Sequence, residues 1–211
     1  MLWYAVGPLP SLDYVQLLTG FVVLLLSLTV HEAAHAWSAD RLGDRTARAL
    51  GRLSLNPAVH VDPIGTILFP LISLATNLPL IGWAKPVPVN AHALHPNWRQ
   101  KFMVIAAAGP ASNIVLAIIA AVLVRVVPAG PVSGAFETAV YLNVLLAVFN
   151  MVPVPPLDGG NVLSGLLTGP MADTYDKVRP YGFLILYGLM LTGVLWTIVS
   201  PPASLLVSWL L

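Results

Sequence analysis

The sequence predicts an all-α integral membrane protein with about four full transmembrane helices and one proline-broken, re-entrant or hairpin segment. Three observations carry that prediction. Ten Lys and Arg and nine Asp and Glu make up 9% of 211 residues, against about 25% in a soluble domain. Hydrophobic residues reach 57%, and the mean hydropathy is +0.83. The charges are also clustered: none falls in 14–31, 63–84, 102–124, 138–157 or 180–211. A chain with so little polar surface suits a bilayer and not water. The net charge of +1 supplies no basic field, so no nucleic-acid partner is expected. The absence of Cys excludes thiolate metal sites and Cys catalysis.

The first span is expected over about 13–39. No Pro interrupts it after Pro10. Ala34-His35-Ala36 has the small-x-small form of a leader cleavage site. The preceding MLWYAVGPLPSLD lacks Lys and Arg, which signal peptides carry, so this is expected to be a permanent span. An Arg-rich polar stretch follows, with Arg41, Arg45, Arg48 and Arg52. Residues 63–84 are apolar but contain Pro63, Pro70 and Pro79. Three prolines in so short a run argue for a broken hairpin over a straight helix. The connector 85–101 is polar, and Pro86 and Pro88 favour extended backbone in its first part. Further spans are expected at about 102–126, 136–152 and 181–199. Pro153, Pro155 and Pro156 end the third, a short helix can form at 161–169, and Pro201 and Pro202 stop the last. No internal repeat divides the chain, so 1–211 reads as a single domain.

Nine of the ten positive charges lie in 40–61, 85–101 and 159–180; Arg125 is the exception. By the positive-inside tendency those segments face the cytoplasm and the N-terminus lies outside.

One span carries a motif foreign to an apolar helix, His31-Glu32-Ala33-Ala34-His35. An ionisable group at membrane depth costs about 2.5 kcal/mol or more and marks function by default. Positions i and i+4 share a helix face, so both imidazoles can grip one ion. Glu32 sits beside that ion, where it can take a proton from water. This is the HExxH arrangement of zinc hydrolases. Two solvated surface His would be the bland reading, but an apolar span offers no solvated face; the remaining plain alternative is a hydrogen-bonded His/Glu packing cluster.

Catalytic zinc takes three protein ligands. Asp158 is the strongest third candidate. From Asp13, His31 is roughly 27 Å along a helix, and from Glu137, Asp158 is about 31 Å along. Both therefore reach the same side of a core about 30 Å thick. The bland alternative makes Asp158 a turn residue before Gly159-Gly160. His60 and Asp62 are second-tier ligand candidates, while His92 and His95 are expected to be solvated. Asn113 and Asn150 are buried amides whose plain role is helix–helix hydrogen bonding. The six Trp suit the membrane interface.

These residues resemble a known family. His31-Glu32-Ala33-Ala34-His35, followed by Asn150-x-x-Pro153-x-Pro155-x-Leu157-Asp158-Gly159, is similar to the paired motifs of the site-2 proteases, intramembrane zinc metalloproteases. The stretches 51–66 and 82–90 resemble its compact prokaryotic branch. The likeness covers roughly 15–165, and no PDZ insertion separates the motifs. It implies one Zn2+ per chain held by His31, His35 and Asp158, with Glu32 as catalytic base. It also implies that Asn150 orients substrate or supports the oxyanion. The substrate would be a transmembrane helix of another membrane protein, cut within or near the bilayer. The location implied is the inner (cytoplasmic) membrane, with the active site towards the cytoplasm. Two other classes compete: a divalent-metal transporter and a catalytically silent membrane scaffold. A transporter needs a second polar motif deep in a neighbouring helix, and the outer halves of these spans hold almost nothing ionisable.

Overall fold

A computed structural model of the chain describes residues 14–68 and 84–211. Every long element among them is an α-helix. Helix α1 spans Tyr14–Arg41, α2 Trp98–Val126 and α3 Pro131–Asn150. Four shorter helices follow: α4 (Asp158–Leu166), α5 (Pro170–Val178), α6 (Gly182–Leu191) and α7 (Val194–Leu210). Among the described residues three helices are long and apolar enough to cross a membrane, and up to four spans result if the bent pair ending in α7 counts as one. The 20 residues of α3 match a core of about 30 Å. Many of the exposed side chains on α1 and α2 are large and apolar, among them Leu17, Leu18, Phe21, Val115, Ile118 and Ile119. That face suits lipid and not water.

Helices α1, α2 and α3 form an antiparallel three-helix bundle. Its pairings fix the direction: His35 meets Ile105, while Ser27 and Asn143 meet Asn113 and each other. Small residues make the close approach possible, because Ala removes the bulk that would hold backbones apart. Ala117, Ala120 and Ala121 of α2 pack on Val140 and Val144 of α3 and Ala203 of α7. A second cluster joins Val152 and Leu157 to Leu186 of α6 and to Leu195 and Val199 of α7. The C-terminal helices thereby back the non-helical turn that leads into Asp158.

The expected last span is corrected. Residues 181–199 are not one helix. The helical stretch ending at Leu191 turns by 79° into α7. Gly193 is the cause: it adopts φ +74, the left-handed conformation that closes a helix. Its N–H donates to Met190 O at 3.1 Å, and Thr192 N–H donates to Gly188 O at 3.1 Å. Pro201 and Pro202 also fail to stop the chain, since α7 runs through them to Leu210. In a bilayer the backbone has no water to turn to, so the helix continues around the lost donors. The short helix at 161–169 is shifted to Asp158–Leu166. Of the hairpin expected at 63–84, residues 69–83 lie outside the described residues, and Pro63–Leu68 form a wide π-helical turn. The prolines at 153–156 do interrupt the helix, as anticipated.

The small-residue seam yields a prediction. Ala121→Leu should overpack the contact of α2 with α3 and α7. The expected cost is about 1–3 kcal/mol, read as a lower thermal unfolding midpoint in detergent. Metal content should be unaffected, because the site lies at the other end of α2.

Candidate metal centre

The HEAAH segment lies in the last third of α1. The helix puts His31 and His35 on one face, and all three polar residues are buried. Their rings meet edge to face with centroids 4.6 Å apart. Asp158 arrives from the other end of the sequence, in the first turn of α4. An acidic side chain there is favoured by the helix dipole.

The glycine pair after Asp158 sets its position. Gly159 and Gly160 lie inside α4, so they are not a reverse turn. Their Cα atoms press on the backbone of the 151–156 turn: an added Cβ at Gly160 would sit 2.8 Å from Pro155 N, and one at Gly159 would overlap Met151 O. That approach turns the start of α4, and Asp158 with it, towards α1.

Three ligand atoms converge. His31 Nε2 is 3.0 Å from His35 Nε2. Asp158 Oδ2 is 3.1 Å from the first and 3.4 Å from the second. A tetrahedral zinc with bonds of about 2.0–2.1 Å needs ligand atoms about 3.3 Å apart. The triangle therefore has the size of one face of such a site.

The outer hydrogen bonds say what the inner atoms carry. His35 Nδ1 lies 2.7 Å from Ile105 O. A carbonyl only accepts, so Nδ1 carries a proton, and in the neutral ring Nε2 presents a lone pair. His31 Nδ1 lies 2.6 Å from Asn113 Oδ1. The amide orientation follows from its other end, where Nδ2 donates to Asn143 Oδ1 at 2.8 Å and points to Ser27 O. In the neutral ring His31 Nε2 is likewise a lone pair. Two ring lone pairs and a carboxylate oxygen facing one point need a proton or a metal cation between them. The donor set fits a divalent metal such as zinc.

Glu32 is adjacent and not part of the triangle. Its Oε2 accepts from Val87 N–H at 3.2 Å. Val87 belongs to the non-helical stretch 84–90, which buried charges hold in place. Arg52 donates to Val59 O, Lys85 O and Pro86 O, and Asp44 Oδ2 accepts from Asn90 N–H at 2.6 Å. A cavity of about 400 Å³ opens over the site. Its walls include Glu32, Val87, Phe102, Phe149, Asn150 and Asp158.

The other sequence candidates fall as follows. Asn150 ends α3 and lines the cavity, but its Nδ2 donates to Leu146 O one turn back at 3.0 Å. His60 is buried and bonds Ser54 O at 2.8 Å. Asp62 Oδ1 accepts from Ile64 and Gly65 N–H and caps the turn that follows. Neither joins the triangle, and His92 and His95 are exposed. Sequence reasoning missed Gly109. An added Cβ there would lie 2.6 Å from His31 Nε2 and would overlap His35. Its signal was the small-residue run Ala106–Gly109, read for helix packing alone. Asn143 was also missed, although an amide in an apolar span is itself a signal.

Comparison with known proteins comes down on one side. The model of peptidase family M50 matches residues 124–192, which include Asn150 and Asp158. The "Putative zinc metalloprotease YwhC" of Bacillus subtilis is 35% identical over 193 residues, covering 85% of this chain and 84% of its own length. The "Putative zinc metalloprotease Rip2" of Mycolicibacterium smegmatis is 32% identical over 204 residues, covering 92% and 74%. The Rip2 protein of Mycobacterium tuberculosis is 26% identical over 187 residues, covering 86% and 69%. No solved structure matches the chain.

Two substitutions test the triangle. Asp158→Ala removes one donor, and Gly109→Ala drives a methyl into the histidines without touching a donor. Each should lower bound metal per chain in detergent to about a tenth of wild type or less, since catalytic sites rely on three protein ligands. Elemental analysis of the purified chains reads this directly.

Proposed function

This chain belongs to peptidase family M50, the site-2 protease family, and is a multi-pass membrane metalloprotease; on that premise we propose that it cuts transmembrane substrates within or near the bilayer at the His31–His35–Asp158 centre. The observation that carries the reading is the convergence of three lone-pair donors beside a buried glutamate, under an open cavity at one end of a helical bundle. We assign one zinc per chain to those three donors. Zinc held there would supply Lewis acidity, lowering the pKa of water to about 7 and polarising a carbonyl oxygen.

The remaining work falls to the chain's own groups. His31 and His35 present Nε2 because Asn113 and Ile105 O hold their Nδ1 protons. Glu32 is the general base: its carboxylate borders the cavity and can take a proton from the attacking water. The same carboxyl then delivers that proton to the leaving amine nitrogen. Val87 N–H steadies that carboxylate with a hydrogen bond of 3.2 Å.

A helical substrate hides its carbonyls in internal hydrogen bonds, so the target must unwind locally. The stretch Pro86–Val89 runs along the cavity wall and is pinned at both ends by Arg52 and Asp44. It is a suitable edge for strand addition by an unwound substrate. The apolar wall formed by Leu28, Phe102, Leu146 and Phe149 suits the side chains of such a segment. Asn150 lines the same wall and is positioned to bind substrate once its amide leaves Leu146 O.

The distribution of Lys and Arg supports a cytoplasmic-side site in the inner membrane, with the N-terminus outside. The names borne by the relatives favour hydrolysis over metal transport or a silent scaffold.

Glu32→Gln tests the base. The variant should keep its zinc, because Glu32 is not one of the three converging donors. Cleavage of a membrane-protein substrate in proteoliposomes should fall by about 10²–10⁴-fold, the usual worth of a general acid–base. Undiminished cleavage would remove Glu32 from that role.

A further inference from the structure

Behind His31, on the side away from Asp158, lies a chain of neutral amides. His31 Nδ1 meets Asn113 Oδ1 at 2.6 Å. Asn113 Nδ2 donates to Asn143 Oδ1 at 2.8 Å. Asn143 Nδ2 donates both to Ser27 Oγ at 2.9 Å and to Ala139 O at 2.9 Å. Ser27 is one turn before His31 on α1, so the chain leaves α1, crosses α2 and α3, and returns. Asn113 is fully buried, Asn143 is 2% exposed and Ser27 3% exposed.

We infer that Asn113 and Asn143 are positioning residues for the metal: a two-step amide relay that fixes the ring and tautomer of His31. The inference rests on the metal reading of the site. Each amide in the relay has its donor and acceptor ends told apart. Asn143 Nδ2 spends its two hydrogens on Ser27 Oγ and Ala139 O, which leaves Oδ1 as the end facing Asn113. That acceptor orients Asn113 Nδ2 towards α3, so Oδ1 faces His31. Reversing any one amide would set two donors or two acceptors together in a buried site, at about 1–3 kcal/mol per unsatisfied group.

The choice of amides has an electrostatic reason. A histidine that binds metal commonly passes its other N–H to a carboxylate. Here Asp158 and Glu32 already bring two negative charges, which a divalent cation balances. A third carboxylate behind His31 would leave a net charge deep in the bundle, where desolvation makes it costly. An amide gives the same acceptor geometry without the charge. This assigns Asn113 and Asn143 a role that helix–helix hydrogen bonding alone would not require.

The test uses the full chain in detergent and zinc as the probe. Zinc affinity is measured by competition with a chelator of known strength, and the cobalt-substituted protein gives the absorption of a tetrahedral site. N113L should bind zinc about 10–100-fold more weakly, the usual cost of losing such a partner, with a weaker cobalt band. N143L should weaken binding in the same direction by less. The double variant should match N113L to within about two-fold, because Asn143 acts through Asn113. Zinc affinity in N113L within about two-fold of wild type, with only the unfolding temperature of the chelated protein lowered, would reduce the amides to helix ties and overturn the inference. Full additivity of the two losses would overturn the relay. If N113L does not fold, N143L decides alone: unchanged affinity overturns the inference, and a loss beyond about two-fold supports it. Wild type that takes up no zinc would instead overturn the metal reading beneath it.

Discussion

Three potential ligand atoms from two distant parts of the chain face one another across 3.0–3.4 Å, and the rest of the molecule is arranged around that convergence. Such a cluster needs a proton or a metal cation among its acceptors, since bare lone pairs and a carboxylate in a low-dielectric interior repel strongly. The fold supplies the restraint from outside. Ile105 O and Asn113 hold the two histidines by their far nitrogens. The 151–156 turn, backed by α6 and α7, holds Asp158. Both restraints depend on missing side chains. Gly109 lets α2 lie against the histidines, and Gly159 and Gly160 let α4 lie against the turn.

The second requirement is a proton carrier that does not become a fourth ligand. Glu32 is one residue from His31 and so points about 100° away on the helix. Val87 N–H gives it a partner on that side. The stretch bearing Val87 has no helical hydrogen bonds of its own, so its polar groups need partners elsewhere. Arg52 and Asp44 supply them, each nearly or fully buried. The Arg-rich segment after α1 is thus more than a topology signal, because one of its members shapes the wall of the cavity.

The bent C-terminal pair changes how the last third of the chain is understood. As a single span it would only cross the bilayer. As two helices meeting at Gly193 it wraps the Pro-rich turn and packs Leu186, Leu195 and Val199 on Val152 and Leu157. The family match across 124–192 covers Asp158, the Pro-rich turn and Leu186, and ends just before α7.

By itself the sequence determined the class and singled out the candidate site residues. Charge scarcity sets a membrane protein because a bilayer penalises ionisable groups, and the same penalty makes the HEAAH segment conspicuous. Helical periodicity puts His31 and His35 on one face without any tertiary information, since i and i+4 are neighbours on every α-helix. Matching depths brought Asp158 into consideration, while His60 and Asp62 stayed open beside it. What the tertiary structure decided is everything that depends on distance between helices. It brought Asp158 within reach of both histidines, left His60 and Asp62 outside, and gave Gly109, Asn113 and Asn143 their places behind the site. It also broke the last span at a glycine that an apolar run concealed. Local pattern reads which face of a helix is special; it cannot read which residue of another helix will meet that face, because register between helices is fixed by packing and not by sequence neighbours.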